Sequence, residues 1–275
     1  MRQPWLERLA LAGALLFLAL VVLLPFWWVF SSSIKAPSEI ISRTPTMFPQ
    51  SFTLEHFRKL LGSSDFPRYL LNSVLVSTVS MAITVVLAVL AGYAFFRMSF
   101  RGQGTLYRLI LIAYAFPGIV VLIPYYGMMA QFGLVDSLAS LVLINVALAV
   151  PFSIWMMRSF LGTVPVEIEE AARIDGASQM TILVRIIVPL IAPGIASVAI
   201  FAFIASWTEY LFASVLIQSD AFRTIPVGFA GIIGQYQIDW GLMLAGATLA
   251  TVPVLMLFAF IGRYFVTGLT AGAVK

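Results

Sequence analysis

The sequence has no cysteine, one histidine and few charged residues, and each shortage excludes a class of site or protein. Without cysteine the chain can form no disulfide, no Cys-ligated metal site and no cysteine nucleophile. The lone His56 has no companion ligands from which to build a metal site. Charged residues make up 10% of the 275 residues, whereas soluble domains carry about 25%. The composition therefore argues against a water-soluble protein.

A Gly-Lys pair is also missing, so the P-loop pattern Gly-x-x-x-x-Gly-Lys-Ser/Thr is absent. The chain cannot bind ATP in that manner. Its net charge of +4 would hint at nucleic acid in a soluble protein. In a membrane protein such a charge records the Lys and Arg residues of inner loops, so we expect no nucleic-acid partner.

Apolar sequence is abundant, at 61% of the chain. A membrane span needs about 20 predominantly apolar residues, and six segments qualify. They predict an all-α polytopic membrane protein, with one transmembrane domain over residues 1–275 and its core spans within 70–265. The segments are residues 9–30, 70–96, a stretch within 109–135, 137–157, 191–217 and 240–262. Prolines in or beside them predict kinked helices, at Pro117, Pro124, Pro193 and Pro253.

The first apolar segment, residues 9–30, is longer than the apolar region of a signal peptide, which is about 7–15 residues. We expect it to be an uncleaved span that starts on the inner side. The Lys and Arg residues then divide ten to six in favour of the inner side. The outer six are Lys35, Arg43, Arg58, Lys59, Arg68 and Arg223. This bias predicts that both termini are cytoplasmic.

The long outer loop, residues 31–69, is rich in Ser, Thr and Pro. It contains a short amphipathic stretch at 54–61, for which Thr53 is the expected N-cap. Two interpretations are open: a docking surface for an external partner, or a packed cap over the helices.

The inner loop, residues 158–190, is strongly patterned. Thr163 is expected to cap a helix whose first turn includes Pro165. Negative charge is favoured in the early turns of such a helix by its dipole, and three glutamates lie there, at 167, 169 and 170. The apolar side of this helix is expected to carry Ile168, Ala171 and Ala172.

The second half of this loop predicts a reversal. Gly176 suits the left-handed geometry in which helices end. Ser178 is expected to cap a second helix, which runs to Pro189 and leads into the fifth span. Residues 158–190 therefore predict a helical hairpin at the inner face of the membrane.

The residues of this hairpin resemble a known signature. Glu170-Ala171-Ala172, then Gly176, then Ile186-x-Val188-Pro189 resembles the EAA signature of the membrane subunits of bacterial ABC importers, with Val188 in place of the usual Leu. In that family the short helix, the coupling helix, fits a cleft in the ATPase subunit and transmits its closure to the spans. The resemblance implies that the residues coupled to the ATPase are Glu169, Glu170, Ala171, Ala172, Asp175, Gly176, Ala177 and Pro189. Alanines allow a close approach of the partner, and carboxylates accept hydrogen bonds from Arg or backbone donors.

Other stretches extend the resemblance over most of the chain, toward the carbohydrate-importer branch of maltose-transporter type. They are Asn72-Ser73, the run from Gly92 to Arg97, Trp207-Thr208-Glu209-Tyr210 and the tail at 263–275. Thr208 departs from the family, which usually has Asn there.

The resemblance implies half of a heterodimeric pore for a sugar. The implied partners are a second permease subunit, two ATPase subunits that bind ATP and Mg, and an extracytoplasmic solute-binding protein. The chain itself would be no enzyme and would hold no cofactor. It would lie, surrounded by lipid, in the cytoplasmic membrane of a bacterium or archaeon.

Glu209 is an ionisable residue within a predicted span, which makes it a functional-site hypothesis. Small residues on the same helical face favour packing or a subunit interface, and contact with the substrate is the alternative. Trp207, Tyr210 and Asn72 are further candidates for the pore or an interface.

Rival functions remain open. A secondary transporter would need ionisable groups near the membrane midplane, where only Glu209 is available and lies off-centre. An intramembrane enzyme would need a His, Asp or Ser constellation within the spans, and none is visible. Among importers, a permease for a non-sugar solute is the nearest alternative.

Overall fold

The computed structural model describes residues 4–62, 64–232 and 238–273. Within these residues the chain is mostly helical, as the composition predicted, and Lys35 and Phe52 form an isolated antiparallel bridge. The α-helices are α1 (Pro4–Ser33), α2 (Pro37–Ile40), α3 (Glu55–Gly62), α4 (Phe66–Arg97), α5 (Gln103–Tyr114), α6 (Gly118–Gln131), α7 (Leu138–Leu161), α8 (Val166–Ile174), α9 (Gln179–Thr181), α10 (Val188–Leu190), α11 (Ala192–Trp207), α12 (Leu211–Leu216), α13 (Ile225–Ile232) and α14 (Trp240–Ala273). A π-helical segment, Ile182–Ile187, joins α9 to α10, and a 3₁₀ turn, Asp220–Phe222, precedes α13.

Five stretches of this part of the chain are long and apolar enough to cross a membrane: α1, α4, α7, α11 with α12, and α14. A sixth crossing is possible if α5 and α6 count as one, but these two helices meet at 100°. The kink predicted at Pro117 within 109–135 is thus a sharp turn between two helices. Pro117 causes the break, because it has no N–H and keeps the preceding residue out of the helical conformation. Its own backbone is extended, and it stands at the N-cap of α6.

The chain contains two compact units, residues 1–67 with 229–252 and residues 68–228 with 253–275. In the first unit, α1 exposes apolar side chains on all sides and buries none of its apolar window, which is typical of a membrane span. Just after α1, Lys35 is buried. Its ammonium donates to the carbonyl of Thr46 and lies 4.5 Å from the centre of the Trp28 ring.

Glu39 organises the loop that follows α2. Its carboxylate accepts hydrogen bonds from the Thr46 hydroxyl at 2.6 Å and from the backbone N–H groups of Gln50 and Ser51 at 3.0 and 3.2 Å. The Thr46 hydroxyl, followed by these N–H groups, lowers the pKa of Glu39 to about 2.

Further along, α3 nearly coincides with the helix predicted at 54–61. The Thr53 hydroxyl accepts from the N–H of Glu55, the first residue of α3, at 3.1 Å.

In the second unit, two apolar clusters lie around α4 and α7. One joins them to α8 and the π-helical segment, and it includes Val89, Met157, Leu161, Ala172, Ile182 and Ile187. The other joins them to α6 and α12, and it includes Val76, Leu122, Ile144, Phe212 and Leu216. Helices α7 and α11 approach closely, since a Cβ on Gly194 would lie 2.4 Å from the Phe160 ring. Small residues at such contacts are typical of membrane helices.

Replacing Glu39 by Gln is expected to loosen the loop after α2, because the ionised carboxylate holds four loop groups at once. Because the folded pKa of about 2 lies below the ordinary 4.5, ionisation favours the ordered loop above pH 4.5, and this contribution is lost as the pH falls toward 2. Trypsin cleavage after the exposed Arg43 at pH 8 measures the change, with the exposed Glu55→Gln as the control. Equal cleavage rates in the two variants would contradict the role of Glu39.

Candidate coupling site

The segment between α7 and α11 folds as a helix, a turn and a second helical stretch. Helix α8 begins at Val166, after an N-cap at Pro165 with extended backbone. The prediction that Thr163 caps this helix is wrong, because its hydroxyl donates to the carbonyl of Phe160 at 2.7 Å. Pro165 likewise precedes the first turn, since its own ψ of 138° is extended and not helical. Helix α8 therefore starts without a side-chain cap.

The turn after α8 has the predicted geometry. Gly176 has a φ of +82°, and a Cβ there would meet no atom within 4 Å. Conformation rather than space therefore requires glycine at this position. The Ser178 hydroxyl accepts from the N–H of Thr181 at 3.3 Å and caps the following stretch. That stretch reaches α10 through a π-helical segment that the sequence did not predict. In α10, just after this segment, Pro189 has no N–H to donate to a carbonyl of the preceding turn.

Helix α8 has two different faces. Glu169 is fully buried and Ala172 is 9% exposed, so both point into the protein. Ala172 thus faces inward and Ala171 outward, although the sequence placed them on one side. The outward surface carries three acidic side chains, one basic side chain and small or aliphatic ones: Val166, Glu167, Ile168, Glu170, Ala171, Arg173, Ile174 and Asp175.

The carboxylate of Glu169 is engaged on both oxygens by side chains of α4. Arg97 Nε lies 2.6 Å from Oε1, in an ion pair that lacks the geometry of a linear hydrogen bond. The Tyr93 hydroxyl donates to Oε2 at 2.9 Å. Arg173, one turn along α8, reaches Oε2 only at 3.8 Å. Glu169 therefore does not lie on the surface offered to a partner, contrary to its predicted place among the exposed acceptors.

Two neighbouring contacts extend this cluster. The Gln179 side chain donates to the Tyr93 hydroxyl at 3.0 Å. Arg97 Nη2 donates to the carbonyls of Leu161 and Val164, at the end of α7 and in the linker to α8. The cluster thus joins α4, the end of α7, α8 and α9. Tyr93 and Arg97 lie in a stretch that resembles the family, but the sequence pattern assigned them no role. Their i, i+4 spacing places them on one helical face and was the available signal.

Ala177 is half-buried against the apolar cluster around α8, and its N–H donates to the carbonyl of Ala172 at 2.9 Å. Among the described residues, no group of three or more His, Cys, Asp or Glu side chains could hold a metal ion.

Glu209 lies where the fifth span is interrupted between α11 and α12. Its carboxylate accepts from the backbone N–H groups of Phe212 at 2.6 Å and Ala213 at 3.0 Å. These are N–H groups that a helix start leaves without an intrahelical partner. Nearby, Trp207 is buried and stacks on Phe203 with ring centres 5.5 Å apart, while Tyr210 is 48% exposed. The contacts of Glu209 are structural, and contact with a substrate stays a prediction.

Asn72, near the start of α4, holds the loop between α12 and α13. Its side-chain amide donates to the carbonyls of Ala221 and Arg223 at 3.0 and 2.9 Å. Asp136 holds the same loop, since its carboxylate accepts from the N–H groups of Gln218 and Ser219, both at 2.9 Å. The Ser219 N–H is the main cause that lowers the pKa of Asp136. Asn72 is thus committed to contacts within this chain.

Residues 84–271 match the family described as the binding-protein-dependent transport system inner membrane component. The chain belongs to this family. The matched range contains α8 and the residues Tyr93, Arg97 and Gln179. The family expected from the EAA signature is thereby confirmed, and the protein is a membrane transport component.

The permease is 33% identical to the diacetylchitobiose uptake system permease protein DasC of Streptomyces coelicolor, over 96% of this chain and 95% of that protein. It is also 33% identical to the trehalose/maltose transport system permease protein MalG of Thermococcus litoralis, over 100% of this chain and 99% of that protein. Its fold resembles a chain from the crystal structure of a bacterial ABC transporter involved in the import of the acidic polysaccharide alginate. That likeness has a TM-score of 0.81 at 22% identity and covers 96% of this chain and 98% of the other. At this identity the likeness shows the fold alone.

Replacing Glu169 by Gln is expected to lower the free energy of unfolding by about 3 kcal/mol, because Arg97 would be left nearly buried without a counter-charge. Glu170→Gln changes the adjacent but exposed carboxylate, and its effect should stay within about 0.5 kcal/mol. Unfolding of the two purified variants in detergent compares them. A Glu169→Gln variant as stable as Glu170→Gln would contradict the importance of the ion pair.

Proposed function

We propose that the permease forms half of the translocation pore of an ATP-driven sugar importer. Family membership supports the transport role, and the names of two relatives over nearly their whole length support a sugar. The solute is proposed to be a mono- or oligosaccharide that a solute-binding protein delivers. A non-sugar solute is the alternative within the same class of importer.

The observation that carries the coupling role is the division of α8 into a buried face and an exposed face. The buried face is held by Glu169 and Ala172. The exposed face presents Glu167 and Glu170 around Ala171. Such a surface suits a cleft lined with Arg or backbone donors, since charged hydrogen bonds are strong and alanine allows close approach. We assign α8 as the coupling helix that docks on an ATPase subunit.

The rest of the assembly follows from this assignment. The ten-to-six bias of Lys and Arg supports cytoplasmic termini and a cytoplasmic α8. Two ATPase subunits below the membrane would bind ATP and Mg, a second permease subunit would complete the pore, and a solute-binding protein would dock outside. The site of action would be the cytoplasmic membrane of a bacterium or archaeon.

Closure of the ATPases would move α8, and the chain would carry this motion toward α11. Gly176 and Ser178 make a tight, capped connection between α8 and the stretch that leads to α11. A compact turn transmits displacement better than a flexible loop, because few backbone torsions are free to absorb it.

Glu170→Lys and Gly176→Asp are expected to abolish ATPase binding or uptake while membrane insertion stays intact. The first reverses the charge of an exposed acceptor, and the second places a side chain at a φ of +82°, which strains the turn. Copurification of the ATPases and uptake into proteoliposomes measure the effects. Glu55→Lys is the control, because it makes the same charge reversal on the exposed side of α3. Normal uptake by both variants would refute the coupling role of α8.

The sugar is tested by reconstituting the complete complex with its solute-binding protein and screening glycosides. The expected result is stimulation of ATPase activity that depends on both the binding protein and one class of saccharide. Stimulation only by a non-sugar solute would support the alternative importer. Uptake that survives ATP depletion and collapses with an uncoupler would instead indicate an ion-coupled transporter.

A further inference from the structure

The buried ion pair connects α8 to a helix that the chain itself does not join to it. Along the sequence, α8 is continuous with α7 on one side and with α9 on the other. Tyr93 and Glu169 lie 76 residues apart, so only side-chain contacts link α8 to the end of α4. Motion of α8 can therefore reach the membrane-spanning helices through the chain and also through side-chain contacts with α4, which include this ion pair.

Both partners of this ion pair are largely shielded from water. The Glu169 side chain is 0% exposed and that of Arg97 is 11% exposed, so water does not replace either partner. Both oxygens of Glu169 are engaged by α4. Separating two charges at low dielectric is costly, so α8 and the end of α4 should move together.

Arg97 also binds the backbone that connects α7 to α8. Its guanidinium holds the carbonyls of Leu161 and Val164, which flank the connection from α7 to α8. A guanidinium offers several donors in a rigid fork, which suits it to hold three acceptors at once. The end of α4 is thereby attached both to α8 and to the backbone that leads into α8.

We propose that Glu169 and Arg97 are positioning residues that transmit the displacement of α8 sideways to α4. This inference rests on the proposed function of α8 as the coupling helix. On adjacent positions of one helix, Glu170 would receive the motion of the ATPase and Glu169 would pass it to α4. Tyr93 supports the pair by donating to the second oxygen of Glu169.

The test uses the complete reconstituted complex and measures sugar uptake per ATP hydrolysed. The double variant Arg97→Gln with Glu169→Gln removes both charges, so neither is left buried alone. We expect this variant to retain its ATPases and to lose about tenfold in uptake per ATP, a size typical of changed coupling between distant sites. A purely structural pair would lower both rates together and leave their ratio unchanged, which would overturn the inference.

Arg185→Gln is the matched control. It makes the same change of side chain at an exposed arginine in the π-helical segment that follows α9. Its uptake per ATP should equal that of the wild type, and a tenfold loss there would overturn the inference. Arg97→Lys keeps the charge and should retain more of the ratio than Arg97→Gln does.

If the double variant fails to assemble, Tyr93→Phe provides the test. This variant removes one hydroxyl and keeps the ion pair. A reproducible fall in uptake per ATP in this variant supports transmission through α4, and an unchanged ratio overturns it. Failure of the proposed function itself is distinguishable, because Glu170→Lys would then retain both its ATPases and its uptake.

Discussion

A charge that is removed from water must be neutralised by the protein around it, and in this chain that requirement joins elements far apart in sequence. The fully buried Glu169 is met by Arg97 and Tyr93 from α4. The position of α8 therefore depends on α4 as much as on the adjoining α7. The same contact determines which face of α8 is exposed. Because it holds Glu169 inward, Glu170 on the next position of the helix faces outward.

Backbone polar groups impose a parallel constraint wherever a span is interrupted. In lipid, every free N–H and C=O has to find a partner within the protein. Glu209 accepts from two N–H groups at the start of α12, and Asn72 donates to two carbonyls in the loop that follows. Polar side chains in and beside the spans thus serve the interruptions of the helices. They are poor guides to a solute pathway unless their contacts are known.

Features that depend on a few neighbouring residues were predictable. The left-handed Gly176 and the cap at Ser178 are set by local backbone geometry, and both are as predicted. Thr163 failed because Pro165 moves the helix start beyond the reach of its hydroxyl. The apolar segments were identified from composition, but the 100° turn at Pro117 was not. A proline in a span predicts a kink, whereas the size of the bend is decided by the helices packed around it.

The sequence by itself determined that the chain crosses a membrane repeatedly, that it belongs to a transport family and that residues 166–176 form a helix and a reversal. The tertiary structure decided which glutamate serves which purpose. Successive residues on a helix point about 100° apart, so Glu169 and Glu170 cannot face the same neighbour. Which of them turns inward depends on where α4 lies, and that is settled by a contact between residues 76 positions apart. No local pattern contains that information.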